Sequence, residues 1–167
     1  RSAVSTVPRP LRIAAFGVGD GPRAGIGVGV GTNSQGINFH FRDFTQTGIP
    51  GRQTRLLDDF RIWGPGYDFR PMGTNKWELD TWYWMRLKQV VNSDIGKPDI
   101  LAKVWLADGT VPEPAGWQLA WDRYPEASVR NGFAGITAGS FSGLTIFDVD
   151  YVLIKAAGLN SVTVGIG

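Results

Sequence analysis

The chain has 167 residues, no cysteine, one histidine and a net charge of +2, from 17 Lys and Arg against 15 Asp and Glu. Disulfide frameworks, thiolate metal sites and multi-histidine metal sites are therefore excluded. The basic excess is slight and its densest cluster is only Arg52 with Arg55, which argues against nucleic acid as a partner.

No apolar run reaches the roughly 18 residues that a membrane-spanning helix needs, so a soluble domain or assembly component without a membrane partner is expected. The 23 glycines and 10 prolines punctuate short apolar runs, and nothing has the period of a long amphipathic helix. That pattern predicts a single all-β domain, an antiparallel two-sheet β-sandwich of jelly-roll type, over residues 11–157. Residues 1–10 (RSAVSTVPRP) carry no core pattern, and Pro8 and Pro10 flank Arg9, so this stretch reads as an extended arm or linker.

The predicted strands follow in order. Residues 11–16 form the first. Residues 25–31 alternate Ile26, Val28 and Val30 with glycine, leaving one face bare for the close approach of another group, such as an aromatic ring laid over it. Residues 36–44 point Ile37, Phe39 and Phe41 to the core and His40 and Arg42 the other way. Residues 56–63 place Leu56, Phe60 and Ile62 on one parity and Leu57, Asp59, Arg61 and Trp63 on the other.

Residues 78–91 form a long strand with Tyr83, Met85 and Leu87 on an apolar face and Trp82, Trp84, Arg86 and Lys88 opposite. Residues 100–106 pair with it and carry Lys103 and Trp105. Asp108-Gly109-Thr110 is a tight-turn signal in a loop extended by Pro112 and Pro114. Strands over 117–121, 133–138 and 144–155 complete the domain, the last with Phe147, Val149, Tyr151 and Leu153 as core. Residues 158–167 form a tail able to add a strand through Val162, Val164 and Ile166.

The residues opposite the core faces make a consistent set. If their strands share a sheet, Arg42, Arg61, Trp63, Trp82, Trp84, Arg86, Lys103 and Trp105 form one outward face. Flat aromatic rings beside multi-donor cations suit sugar rings and acidic glycans, and equally suit a protein interface. The same rings also have an internal alternative, packing under long loops or over the glycine strand.

Catalytic signals are thin. A glycosidase needs two carboxylates flanking the scissile bond; Glu78 and Asp80 share a strand face in this reading, but the next same-face residue is Trp82 rather than a third carboxylate, and the pair reads as strand-edge charges. His40 is the only histidine, and no phosphate-binding glycine loop occurs. Asp148 and Asp150 alternate along one strand and are weak candidates for a calcium site, set against a solvated strand face. No other cofactor is implied.

The order WYWMRLK (82–88), ILAKVW (100–105), ADGTVPEPAGW (107–117), GFAGI (132–136), a glycine-serine loop with Phe141, and FDVDYVLIK (147–155) resembles laminin G-like jelly-roll modules. These belong to the concanavalin A-like lectin and glucanase superfamily, and the likeness covers about residues 77–155. It implies two curved, packed antiparallel sheets. It also implies a setting among lectins, adhesion modules, glycan hydrolases and domains of bacterial and phage surface proteins. The laminarinase-type hydrolases carry a Glu-x-Asp-x-Glu or Glu-x-Asp-x-x-Glu strand. This chain has Trp82 and Tyr83 where the last Glu would fall.

The expectation is therefore a non-enzymatic structural, assembly and adhesion module. The pattern is most similar to phage virion components, capsid decorations or tail fibres, on a virion or extracellular surface. Its partners would be other virion or surface-assembly proteins reached through terminal arms, in a homo-oligomer. A carbohydrate-binding module is the alternative, and a glycan-active hydrolase the weaker one.

Overall fold

The computed structural model describes residues 11–15, 23–30, 36–43, 52–58, 76–92, 97–121, 133–139, 146–155 and 162–165. Within them the chain is all-β, with eleven strands and no helix. These are β1 (Leu11–Ala15), β2 (Arg23–Val30), β3 (Ile37–Asp43), β4 (Arg52–Asp58), β5 (Trp82–Asn92), β6 (Lys97–Leu106), β7 (Leu119–Trp121), β8 (Phe133–Gly139), β9 (Ile146–Val149), β10 (Tyr151–Ile154) and β11 (Val162–Gly165).

One sheet has five strands in the order β7-β6-β5-β1-β9, and a second has four in the order β4-β3-β2-β8. β10 and β11 form a separate two-stranded ribbon, and every pairing is antiparallel.

The two larger sheets enclose one core. From the four-stranded sheet come Phe39, Phe41, Ile37, Ala24 and Leu56; from the five-stranded sheet come Leu11, Ile13, Tyr83, Ala102, Val104 and Ile100. Alternation along each strand puts these on one face, as the period of two requires. Phe41 joins the layers, with its ring 5.5 Å from Tyr83 and 5.4 Å from Trp77.

Trp77 is buried, and its indole Nε1 donates to the carbonyls of Arg42 at 2.9 Å and Gln53 at 3.2 Å. Tyr83 is held at its far end, where its hydroxyl accepts from the Glu78 amide at 2.9 Å. Burial pushes the Tyr83 phenol above its ordinary pKa.

The glycine face of β2 is occupied from the neighbouring strands. A Cβ at Gly25 would run into the Phe39 carbonyl oxygen, and one at Gly27 would lie 2.6 Å from Asn38 Oδ1 and 3.0 Å from the Thr137 side chain. Gly25 pairs with His40 on one side and Thr137 on the other. The imidazole of His40 reaches across the glycine, and its Nε2 lies 2.6 Å from Thr137 Oγ1. The ring over the bare strand is thus the histidine's, and His40 is buried as a structural residue.

Four strand expectations change. β4 begins at Arg52 and pairs with β3 from Arg52↔Asp43 to Asp58↔Ile37, so it ends where β3 begins. Its polar first half concealed it from a search for apolar alternation, and residues 59–63 lie outside the described part. β5 begins at Trp82, because Glu78 to Thr81 lie outside any strand, with a turn at Leu79 and Asp80 in which Asp80 takes a positive φ of 55°.

The expected strand 144–155 breaks at Asp150 into β9 and β10, which join different sheets. Phe147 and Val149 pack against the core, whereas Leu153 is 48% exposed. The expected strand 117–121 is confined to β7. The added strand at the end of the chain is β11, paired with β10 from Val162↔Ile154 to Gly165↔Tyr151. The arm expected over residues 1–10, and Ile166, lie outside the described residues.

Gly25→Ala overpacks a closed contact and is expected to destabilise the fold by about 1–3 kcal/mol in chemical denaturation. Gly116→Ala, where a Cβ meets nothing within 4 Å, is expected to stay within about 0.5 kcal/mol of wild type.

Candidate functional site

The outward face of the β5–β6 pair is set by register. Trp84 stands opposite Trp105, and Arg86 opposite Lys103. The two indoles lie nearly parallel, 20° apart, with ring centroids separated by 6.2 Å. Tyr151, from the start of β10, meets Trp84 edge-on at 5.9 Å. All three rings are half-buried. Cross-strand aromatic pairs of this kind stabilise the hairpin and leave outer ring faces for other contacts.

Arg86 and Lys103 are like charges placed directly opposite each other, an unfavourable pairing by itself. Glu113 resolves it. Its Oε1 accepts from Arg86 Nη1 at 2.5 Å and from Lys103 Nζ at 2.6 Å. Lys103 Nζ also donates to the Pro114 carbonyl at 2.8 Å and lies 4.8 Å from the centre of the Trp117 ring. The loop over residues 107–118 therefore folds back across β6 and closes over Lys103, whose side chain is only 7% exposed.

Both ends of this loop are held. At the near end, Asp108 accepts from the Thr110 amide and hydroxyl, each at 2.8 Å, and these bonds hold its carboxyl below the ordinary pKa. Gly109, with φ of 81°, supplies the turn. At the far end, the Gln118 amide accepts from Val104 N at 2.7 Å and donates to Val104 O at 3.0 Å, so a side chain extends the ladder beyond β7.

Trp82 is covered differently. The Arg12 guanidinium lies 5.2 Å from its ring centre and is anchored to Asp148 Oδ2 through Nε at 2.9 Å and Nη2 at 2.5 Å. Asp148 therefore serves an arginine, which is the wrong neighbour for a cation ligand. Asp150 sits at the break between β9 and β10. Among the described residues no three His, Asp or Glu come together as a metal site.

The predicted site residues thus divide. Trp84, Trp105 and Arg86 come together on one exposed face. Trp82 joins the same face under Arg12, and Lys103 is a buried anchor for the loop. Arg42 belongs to β3 of the other sheet and is 4% exposed, so the single-sheet reading of the outward set does not hold. Arg61 and Trp63 lie outside the described residues.

Glu78 and Asp80, expected on one strand face, lie before β5, Asp80 in a turn and Glu78 just ahead of it. Each pairs with an arginine, Glu78 with Arg52 at 3.7 Å and Asp80 with Arg12 at 3.6 Å. Tyr151 and Glu113 were not on the predicted face. Tyr151 was hidden by the parity of an unbroken strand. Glu113 sits between two prolines in a loop and belongs to no periodic pattern.

Beside the Trp84–Trp105 pair opens a cleft of about 490 Å³, bordered by β5 and β10 and reaching Ile26 and Val28 of the opposite sheet. Arg86 and Glu113 stand at its rim. The mouth therefore offers flat apolar rings, guanidinium donors and a carboxylate within one small area. No known family profile, curated protein or solved structure matches this chain.

Glu113→Gln removes the anion shared by two facing cations. It is expected to lower stability by about 1.5–3 kcal/mol, the cost of losing hydrogen bonds to charged groups. Added salt should narrow that deficit by screening Arg86 from Lys103. Adding Lys103→Met to Glu113→Gln should cost much less than Lys103→Met alone, a coupling that a double-mutant cycle in urea measures.

Proposed function

We propose that this chain is a non-catalytic binding module that holds a glycan at the mouth of the β5–β10 cleft. The observation that carries the reading is the near-parallel Trp84–Trp105 pair beside the Arg86–Glu113 ion pair. The axial C–H face of a sugar ring stacks on an indole, while its hydroxyls or acidic groups take hydrogen bonds from guanidinium and carboxylate. The β-sandwich and the order of its aromatic strands support a laminin G-like, lectin-type module as the frame for this chemistry.

A second reading is favoured by a separate observation. Phe133 is 71% exposed, Leu153 48%, Ile146 41% and Ile136 37%. Apolar side chains of this size left open to solvent suit contact with neighbouring subunits. In that reading the domain is a structural and adhesion component of a virion or another extracellular assembly, of the capsid-decoration or tail-fibre kind. The two readings are compatible, since Phe133, Ile136 and Ile146 are not among the residues that line the cleft.

On an array of bacterial surface polysaccharides, wild-type protein is expected to retain a subset. Trp84→Ala and Trp105→Ala should each weaken retention about 2- to 13-fold, the loss of about 0.5–1.5 kcal/mol of ring contact. Retention that is unchanged in both variants, or absent from every polysaccharide, removes the glycan reading. Light scattering across a concentration series tests the second reading: growth in mass supports it, and a strict monomer with no affinity for assembled shells opposes it.

A further inference from the structure

The sandwich does not close evenly. At one end Ala24 of β2 pairs with Phe41, whose ring lies 5.5 Å from Tyr83 of β5, and all three are buried. The next inward residues along the same two strands are Ile26 and Val28 of β2 and Met85 and Leu87 of β5. These four are only half-buried, and all of them line the cleft. The layers therefore part beyond the Phe41–Tyr83 contact, and the cleft runs in between the two sheets below its aromatic mouth.

Its volume of about 490 Å³ falls within the roughly 300–1,000 Å³ of small-molecule sites. The interior walls decide what fits. Ile26, Val28 and Leu87 offer a ligand no hydrogen bond, and the Met85 thioether offers only a weak one. A sugar pushed in here leaves its hydroxyls unsatisfied, which is costly. Water lacks partners for the same reason. An alkyl chain has no polar group to satisfy, each methylene it takes from water is favourable, and Met85 is a pliable wall for it.

The rim has the opposite character. Half-exposed Arg86 stands on the β5 side and exposed Lys155 at the end of β10, and both line the cleft. Lys155 has no ion pair among the described residues. Glu113 is the one carboxylate among the described lining residues, and Arg86 shares it with the buried Lys103. Three cations thus meet one anion, and a negative head group redresses that excess with charge-assisted hydrogen bonds.

We propose that this cleft binds a single-chain anionic amphiphile of the fatty-acid type. Its alkyl chain lies between β2 and β5, and its carboxylate sits at the rim between Arg86 and Lys155. The chain site goes beyond the glycan reading, because it uses the interior below the tryptophan mouth and the ligand needs no sugar.

The chain has two methionines, so ¹³C-methyl methionine labelling gives two signals, and Met85→Leu identifies the one in the cleft. Octanoate, decanoate and dodecanoate are titrated below their micelle concentrations. The Met85 signal is expected to shift saturably, with affinity rising about 4-fold per added methylene. Decyltrimethylammonium, which has the chain but a cationic head, should bind about 10-fold more weakly than decanoate. Ala134 of β8 is exposed and lines the cleft, so Ala134→Phe fills the space from a position outside the buried core and should abolish decanoate binding. Ala138→Phe, exposed on the same strand but outside the cleft lining, should leave binding unchanged. A Met85 signal that stays fixed throughout the titration, affinity indifferent to chain length, equal binding of the cationic amphiphile, or decanoate binding that survives Ala134→Phe overturns the proposal. These probes carry no sugar, so their failure leaves the glycan reading to the polysaccharide array alone.

Discussion

Arg86 and Lys103 face each other across β5 and β6, and one carboxylate makes that arrangement stable. Glu113 accepts from both, at 2.5 Å and 2.6 Å, and in doing so pins the 107–118 loop over the sheet. Lys103 disappears beneath the loop against Trp117, while Arg86 stays half-exposed. Without that anion the two cations repel, the loop loses its central anchor, and the rim beside Trp84 and Trp105 has no defined shape. The aromatic pair and the ion triad are thus one construction, set by the single register in which Trp84 meets Trp105 and Arg86 meets Lys103.

The two faces of this hairpin divide the work. Tyr83, Met85 and Leu87 turn inward, where Tyr83 meets Phe41 of the other sheet and ties the layers together. The outward rings are then available because the inner layer has its own cover. His40 and Asn38 fill the bare side of β2, so no tryptophan is needed there. Trp77 and Trp121 are buried in the core, Trp82 lies under Arg12, and Trp117 lies against Lys103. Trp84 and Trp105 are left beside an open cleft.

Much of this was legible from residue alternation alone. The inward sets Ile37-Phe39-Phe41 and Tyr83-Met85-Leu87 follow directly from a period of two, and the all-β class follows from short runs between glycines and prolines. What alternation does not carry is which sheet a strand joins. Arg42 and Arg86 have the same outward parity but sit in different layers, because the strand order is decided by long-range pairing. The break at Asp150 was invisible for a related reason. Residues 147–151 alternate straight through the break while the chain changes partners. Glu113 escaped notice because loops have no period, and its role appears only once the loop lies across β6.

The glycan proposal assigns ligand contact to Trp84 and Trp105 alone among the described tryptophans. The most direct measurement is the set of indole N–H signals in a ¹⁵N-labelled sample, assigned by substitution and followed as a retained polysaccharide is added. The account predicts that the Trp84 and Trp105 signals move together with saturable dependence, while those of Trp77 and Trp121 stay fixed. Saturable shifts that leave Trp84 and Trp105 unmoved, or that centre on Trp77 or Trp121, would contradict it.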